Sequence, residues 1–337
     1  MPLLISPLFH PTTTILIDDN EAFLEGLGVA LNDDAIYHTF SNPTQALAYC
    51  TENAKIRPID DSYLMADTES PDSSQQNITL HTKEIKTALL KPERFDVISV
   101  IVVDFSMPQL TGVEFIDQLR EQVKNKFAKI IMVTGEADHG LAVQLFNDKK
   151  IDKFFLKSED NLEGKINAAI NEMQEAYFLD LCKTLFSSII AKTTPILNDA
   201  AFADLFAKIK ADLNIVEHYL CENTGSFVLV NRDGAMTVLV VRTKEDLMMY
   251  ADLAADQRVP TELVNRILNG SLLPFFGTFE KFIGSKRDDW VENTHLGKKV
   301  PGREGYYYSV IESRKVPTLP GAEHIASFAN YIEAVNA

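Results

Sequence analysis

Tryptophan occurs once and cysteine three times in 337 residues. Cys50, Cys182 and Cys221 are an odd set without metal-ligand spacing, which argues against a disulfide scaffold and for reduced thiols in a reducing compartment. Histidines are scattered singly, with no i, i+4 pair of the kind that holds zinc. No apolar run reaches the ~20 residues that a membrane span needs. The opening segment MPLLISPLFHPT is apolar, but it has no basic leader and is cut by prolines. It reads poorly as a signal peptide, so the expected location is the cytoplasm, with no membrane partner. A basic excess is also missing. Net charge is -16; residues 1–175 hold 15 Lys+Arg against 28 Asp+Glu, and residues 176–337 hold 17 against 20. Neither half has the positive charge that carries nonspecific nucleic-acid affinity, so charge does not support a nucleic-acid partner.

What is present describes a globular protein: 46% hydrophobic and 24% charged residues, in a chain long enough for two domains. TTTILIDDN is a buried strand tipped with two carboxylates, and EAFLEGLGVALN follows with apolar residues at helical spacing, Phe23 and Leu24 among them. AIYHTF, VISVIVVDFSMP, KIIMVTG and KFFLKS are further strands, with helices at TQALAYC, TGVEFIDQL and HGLAVQLFND and another opening near Asn161. Strands alternating with helices predict an α/β fold: a doubly wound, parallel, five-stranded sheet. Ligands of such sheets sit at the carboxyl ends of the strands. Those ends carry Asp18 and Asp19, then Asp104, Thr134 and Lys157.

In this order the motifs ILIDDN, IVVDFSMPQLTGVEF, IIMVTG and KFFLKS resemble the CheY-like receiver of response regulators, over roughly residues 13–175. The resemblance implies a flavodoxin-like fold and a two-component response regulator. Asp104 would accept a phosphoryl group from a sensor histidine kinase or phosphotransfer protein. Mg²⁺ (or Mn²⁺) would be held by Asp19, Asp104 and the backbone carbonyl of Ser106, with Asp18 acting through water and orientation. Lys157 would meet one phosphoryl oxygen and the Thr134 hydroxyl another, with Thr134 and Phe154 as the switch pair. Such a protein is not an enzyme beyond self-phosphorylation and slow self-hydrolysis. Two features depart from the pattern or tune it. Ser158 follows Lys157 where the family usually has proline, and Ser106 and Glu136 occupy positions that tune self-hydrolysis.

The expected domains are a receiver over 13–160 with an insertion at 56–95, a connecting helix over 161–192, and an α+β output domain over 193–337. Within the insertion, residues 60–77 hold five acids and no base and read as a solvated loop, whereas HTKEIKTALLK reads as an extra helix. Apolar residues at Leu162, Ile166, Ile170, Met173, Tyr177, Leu181, Leu185 and Ile189 predict an amphipathic helix of about 30 residues. Its stripe would be buried either in a homodimer that strengthens on phosphorylation or against residues 199–337, and the dimer is favoured. Beyond it come a helix, a hairpin SFVLVNRDGAMTVLVVR turning at Asp233-Gly234, further helices, the strand GYYYSVIES and a closing helix. The two-part layout also resembles the Legionella-type quorum-sensing response regulator. The tail shows no P-loop pattern and no helix-turn-helix with a basic recognition helix. Lys281, Lys286, Arg287, Lys298, Lys299 and Arg303, around Trp290, read as a solvated loop rather than a nucleic-acid surface, and Tyr306, Tyr307 and Tyr308 alternate across a strand, so that at least one is expected to face a core. The output is therefore expected to act by binding protein, itself or a ligand. A DNA-binding transcriptional regulator and an output enzyme of unrecognised type stay open as alternatives.

Overall fold

A computed structural model describes residues 4–32, 35–56, 82–123, 128–135, 139–186, 194–222, 224–277, 281–282, 284–312 and 325–336. The chain divides into two units. One comprises Met1–Phe9, Ile59–Lys91 and Cys182–Glu333; the other comprises His10–Pro58, Pro92–Leu181 and Ala334–Ala337. The first strand, β1 (Leu8–Phe9), belongs to the former, and the next, β2 (Thr13–Ile17), to the latter.

After β2 the α/β unit runs through α1 (Glu21–Ala30), β3 (Ile36–Phe40) and α2 (Pro43–Asn53). The chain then forms α3 (Thr82–Leu89), which lies in the other unit, and returns to β4 (Ile98–Asp104), α4 (Gly112–Gln122), β5 (Lys129–Thr134), α5 (His139–Asn147), β6 (Lys153–Leu156) and α6 (Leu162–Phe186). The sheet order is β3-β2-β4-β5-β6 and every pairing is parallel. This is the doubly wound, flavodoxin-like sheet expected from the alternating elements. Strand residues alternate between two cores. Ile101, Val103 and Met132 pack with Phe115, Ile116 and Leu119 of α4; Val100, Val102, Ile131 and Val133 pack with Leu24 and Leu27 of α1 and with Leu162, Ile166, Ile170 and Met173 of α6.

That second core corrects one expectation. The stripe on α6 was to be covered by a second copy or by residues 199–337, yet Leu162 to Met173 pack on the sheet of their own unit. Tyr177 and Leu181 are 1% and 8% exposed. The face from Leu162 to Met173 is thus covered by its own sheet and is not a dimer surface. Residues 187–192 and the side chain of Leu185 lie outside the described part.

The second unit is built on an antiparallel six-stranded sheet, which makes it the α+β part. Its later elements are α7 (Ala200–Asp212), β7 (Ile215–Glu222), β8 (Ser226–Asn231), β9 (Met236–Thr243), α8 (Lys244–Asp256), α9 (Thr261–Leu268), β10 (Leu272–Pro274), α10 (Asp289–Glu292), β11 (Thr294–Leu296), β12 (Lys298–Lys299), β13 (Tyr306–Glu312) and α11 (Phe328–Asn336). The sheet order is β1-β7-β8-β9-β13-β12. The β8–β9 turn is closed by Asn231, whose side chain accepts the amides of Asp233 and Ala235, and Gly234 takes a φ of 84°. Phe202, Leu205, Phe206 and Ile209 of α7 cover Phe227, Leu229, Leu239 and Val241, and Tyr306 and Tyr308 pack against the same core. Trp290 is fully buried, and its indole N–H donates to Gln257 Oε1 at 2.9 Å. The extra helix of the insertion, α3, packs against β7, and the Leu89 carbonyl accepts the Ala326 amide at 3.0 Å.

Candidate functional site

Three strand ends of the parallel sheet bring the predicted residues together. β2 ends at Ile17, so Asp18 and Asp19 follow at its tip; the Asp18 amide donates to the Phe40 carbonyl at 3.2 Å. Asn20 then turns the chain into α1. Its amide donates to Asp18 Oδ1 at 2.9 Å, and its side chain caps the helix by accepting the Phe23 amide at 3.2 Å. β4 ends at Asp104, and the loop after it is pinned close beneath that residue. The Gly112 amide donates to the Phe105 carbonyl at 2.9 Å. A Cβ on Gly112 would lie 2.3 Å from the Asp104 carbonyl oxygen, so only glycine fits. Thr111 and Glu114 form a capping box that starts α4 at that point.

Asp18, Asp19 and Asp104 each place a carboxylate oxygen within 4.8 Å of the others. Asp18 and Asp104 are 1% and 3% exposed, and Asp19 is exposed. Lys157 reaches in from the end of β6, with Nζ 2.8 Å from Asp18 Oδ2 and 2.9 Å from Asp104 Oδ1. The Lys157 amide donates to the Thr134 carbonyl at 2.8 Å, which fixes its backbone against the end of β5. Burial pushes the Asp104 carboxyl above the usual carboxylate range. Its hydrogen bond with Lys157 opposes that rise, the Asp18 charge adds to it, and the Ser106 amide, at 3.2 Å from Asp104 Oδ2, also opposes it. Burial works against the Lys157 charge, but the bonds and attraction of Asp18 and Asp104 outweigh it and hold its pKa above that of an ordinary lysine.

One ammonium does not balance three carboxylates. At this separation each like-charge pair costs about 3–4 kcal/mol at an effective dielectric near 20. Hard carboxylate oxygens on a half-open sheet edge are a donor set that fits Mg²⁺ or Mn²⁺.

The remaining predicted residues fall around this cluster. Thr134 is fully buried, with its hydroxyl donating to the Gly135 carbonyl at 3.3 Å. The space a Cβ would fill at Gly135 is open. Phe154 pairs with Met132, and Leu156 with Thr134, so Phe154 and Thr134 lie on one face of the sheet. Phe154 is half-buried, with its ring edge-on to Phe146 at 6.1 Å. Ser106 is exposed. Lys157–Ser158 is a trans peptide, and Glu136 lies outside the described residues. Sequence reasoning missed one member of the site. Phe23 was read as part of the apolar stripe of α1, yet its ring lies 5.2 Å from Lys157 Nζ. Its place in the first turn after the Asp18-Asp19 tip was the available signal.

Residues 59–169 match the family model of the response regulator receiver domain. With the sheet order and the strand-end cluster, this identifies the α/β unit as a CheY-like response regulator receiver domain, which the fold extends to residues on the N-terminal side of the matched segment. Over its full length the chain is similar to the response regulator LqsR of Legionella pneumophila, at 24% identity and a TM-score of 0.81, covering 100% of this chain and 98% of that one. At that identity the likeness shows a common two-part fold. Shorter structures cover about half the chain. They include an adenylate cyclase from Rhodopirellula baltica (22% identity, 53% of this chain and 98% of that one, TM-score 0.35) and a receiver domain protein from Clostridium thermocellum (18%, 48% and 94%, 0.32). No curated protein matches the sequence.

Proposed function

We propose that the protein is a two-component response regulator in which Asp104 accepts a phosphoryl group from a phosphohistidine on a sensor histidine kinase or phosphotransfer protein. The observation that carries this is the placement of Lys157, which touches Asp18 and Asp104 together at the carboxyl edge of the sheet. An oxygen of Asp104 would form the bond to phosphorus as the nitrogen–phosphorus bond of the donor breaks, and the leaving imidazole takes up a proton. Lys157 would pass from Asp104 to a phosphoryl oxygen, acting as a point charge. The Thr134 hydroxyl, released from the Gly135 carbonyl, would donate to a second oxygen, and Phe154 would take up the space that Thr134 leaves. Mg²⁺ or Mn²⁺ fits Asp19, Asp104 and the Ser106 carbonyl, with Asp18 orienting water; bound there, the ion neutralises charge on the phosphoryl group. Asp104 is thus a phosphate acceptor, and the chain is not otherwise an enzyme.

The output unit acts by binding another protein, a ligand or itself. A homodimer strengthened by phosphorylation belongs to this reading. Its support is the pair Val143 and Phe146, three apart on one side of α5 and 36% and 45% exposed, with the Phe146 ring beside Phe154. Quorum sensing in the cytoplasm is the setting that the LqsR-like layout favours; among the described residues no helix is long and apolar enough to cross a membrane. DNA binding is the alternative reading, and salt-dependent retention on DNA would favour it. The decisive test is labelling of the full chain by acetyl phosphate or a phosphorylated kinase in Mg²⁺. Asp104→Asn is expected to abolish the acid-labile label, and undiminished label on that variant overturns the assignment.

A further inference from the structure

We propose that Phe23 is a positioning residue for Lys157: its ring holds the ammonium on the two carboxylates before the phosphoryl donor arrives. The proposal rests on the reading of Asp104 as phosphoacceptor and adds a residue to it. The ring centroid is 5.2 Å from Nζ, within the range in which an aromatic face attracts a cation. The backbone of Lys157 is already fixed. Its amide donates to the Thr134 carbonyl, and the flanking Leu156 and Glu159 are joined by Leu156 N–H to Glu159 Oε1 at 2.9 Å and Glu159 N–H to the Leu156 carbonyl at 3.0 Å. What that leaves free is the long side chain, whose rotamers a lysine ordinarily spends in water. Here Asp18 and Asp104 take two of the three ammonium donors, and the Phe23 ring covers part of the remainder while Lys157 stays about one-third exposed.

The contacts close a ring through the first turn of α1. Asp18 accepts the Asn20 amide, Asn20 caps the helix at the Phe23 amide, the Phe23 ring faces Lys157, and Lys157 returns to Asp18. Phe23 also packs on the core beneath α1. A purely packing role requires only volume. A positioning role requires the π face, so the two respond differently to leucine and tryptophan.

The test is the rate of labelling of the full chain by acetyl phosphate at saturating Mg²⁺, with Asp104→Asn as control. Phe23→Leu is expected to lower the rate constant about three- to tenfold, the range a cation–π contact of this kind carries, and Phe23→Trp and Phe23→Tyr to restore most of it. Mn²⁺ affinity measured by EPR should stay within about twofold in Phe23→Leu, since no metal ligand changes. Independently, the Lys157 Hε protons should show an upfield ring-current shift by NMR that Phe23→Leu removes. A wild-type rate in Phe23→Leu, an equal loss in the tryptophan and tyrosine variants, or no ring-current shift overturns the positioning role and leaves the Asp104 reading intact. A wild type that takes no label, or label that persists on Asp104→Asn, overturns the phosphoacceptor reading and the positioning role with it.

Discussion

In the receiver, Asp18, Asp19 and Asp104 gather within 4.8 Å of one another against one ammonium. In the antiparallel unit, Glu222 and Arg242 meet one to one. Arg242 Nη1 lies 2.6 Å from Glu222 Oε2, and Nη2 lies 3.2 Å from Oε1. Ser226 Oγ and the Val241 and Pro274 carbonyls take further guanidinium protons, and Tyr250 and Phe275 flank it. Both residues are almost fully buried, at 1% and 3% side-chain exposure. Burial works against the Arg242 charge, and Glu222 outweighs it and raises the pKa further. On the proposed reading, charge left over at an edge is what a cation and a phosphoryl group would meet, whereas charge balanced in the interior is part of the architecture. Burial alone does not separate the two; stoichiometry does.

The largest effect that sharpens this contrast is expected from Arg242→Met. It strands a buried carboxylate and should destabilise the unit by about 3–5 kcal/mol, while Arg242→Met with Glu222→Leu should recover most of the loss. Trp290, the sole tryptophan, lies in this unit and reports its denaturant unfolding by fluorescence; an unchanged midpoint in Arg242→Met would break the comparison. Mg²⁺ at about a hundred times its dissociation constant should stabilise the receiver by about 2.7 kcal/mol. Asp19→Ala should raise the Mg²⁺ required, and equal metal dependence in both proteins would mean that Asp19 is not a ligand. Gly112→Ala drives a methyl group against the Asp104 carbonyl and should cost about 1–3 kcal/mol in thermal unfolding, with slower labelling.

The smallest effect is a silence that crosses both units. Burial pushes the Cys50 and Cys182 thiols up to about 12 and raises Cys221 well above its ordinary value. A raised acid favours the protonated fold, so the associated stability is complete below the thiol's unfolded pKa and lost as pH climbs through the folded one. At pH 8 a thiol reagent should label no cysteine in the native chain and all three in denaturant.

The strand-end cluster was legible because each member sits where an apolar strand run gives way to a polar residue. Four tips of this kind in order specify a sheet edge. Arg242 was opaque for the opposite reason. In VVRTKEDL it stands beside Thr243 and Lys244 at the end of a strand, where a charge ordinarily faces water, and its partner lies 20 residues earlier. Phe23 was assigned to the core, which was half of its role. The helix over 82–89 was foreseen, but not that it packs against β7, because local periodicity says which face is apolar and not what covers it. The same limit explains the stripe on α6, which was read correctly as apolar, although its Leu162–Met173 part lies on the sheet of its own unit.

The two-residue strand β1 has a consequence for biosynthesis. Leu8 pairs with Tyr219, and Phe9 with His218, so the first strand made must wait for a partner that emerges about 200 residues later, some 10–40 s at ~5–20 residues per second. The parallel sheet begins four residues further on, at Thr13, and all of its strands have left the ribosome well before β7 does. The strands of the receiver are therefore complete early in synthesis, while the antiparallel sheet closes only near the end. A gene cut after α6 would deliver neither the edge strand nor the packing helix to its second half. That makes this output a poor cassette for exchange between regulators.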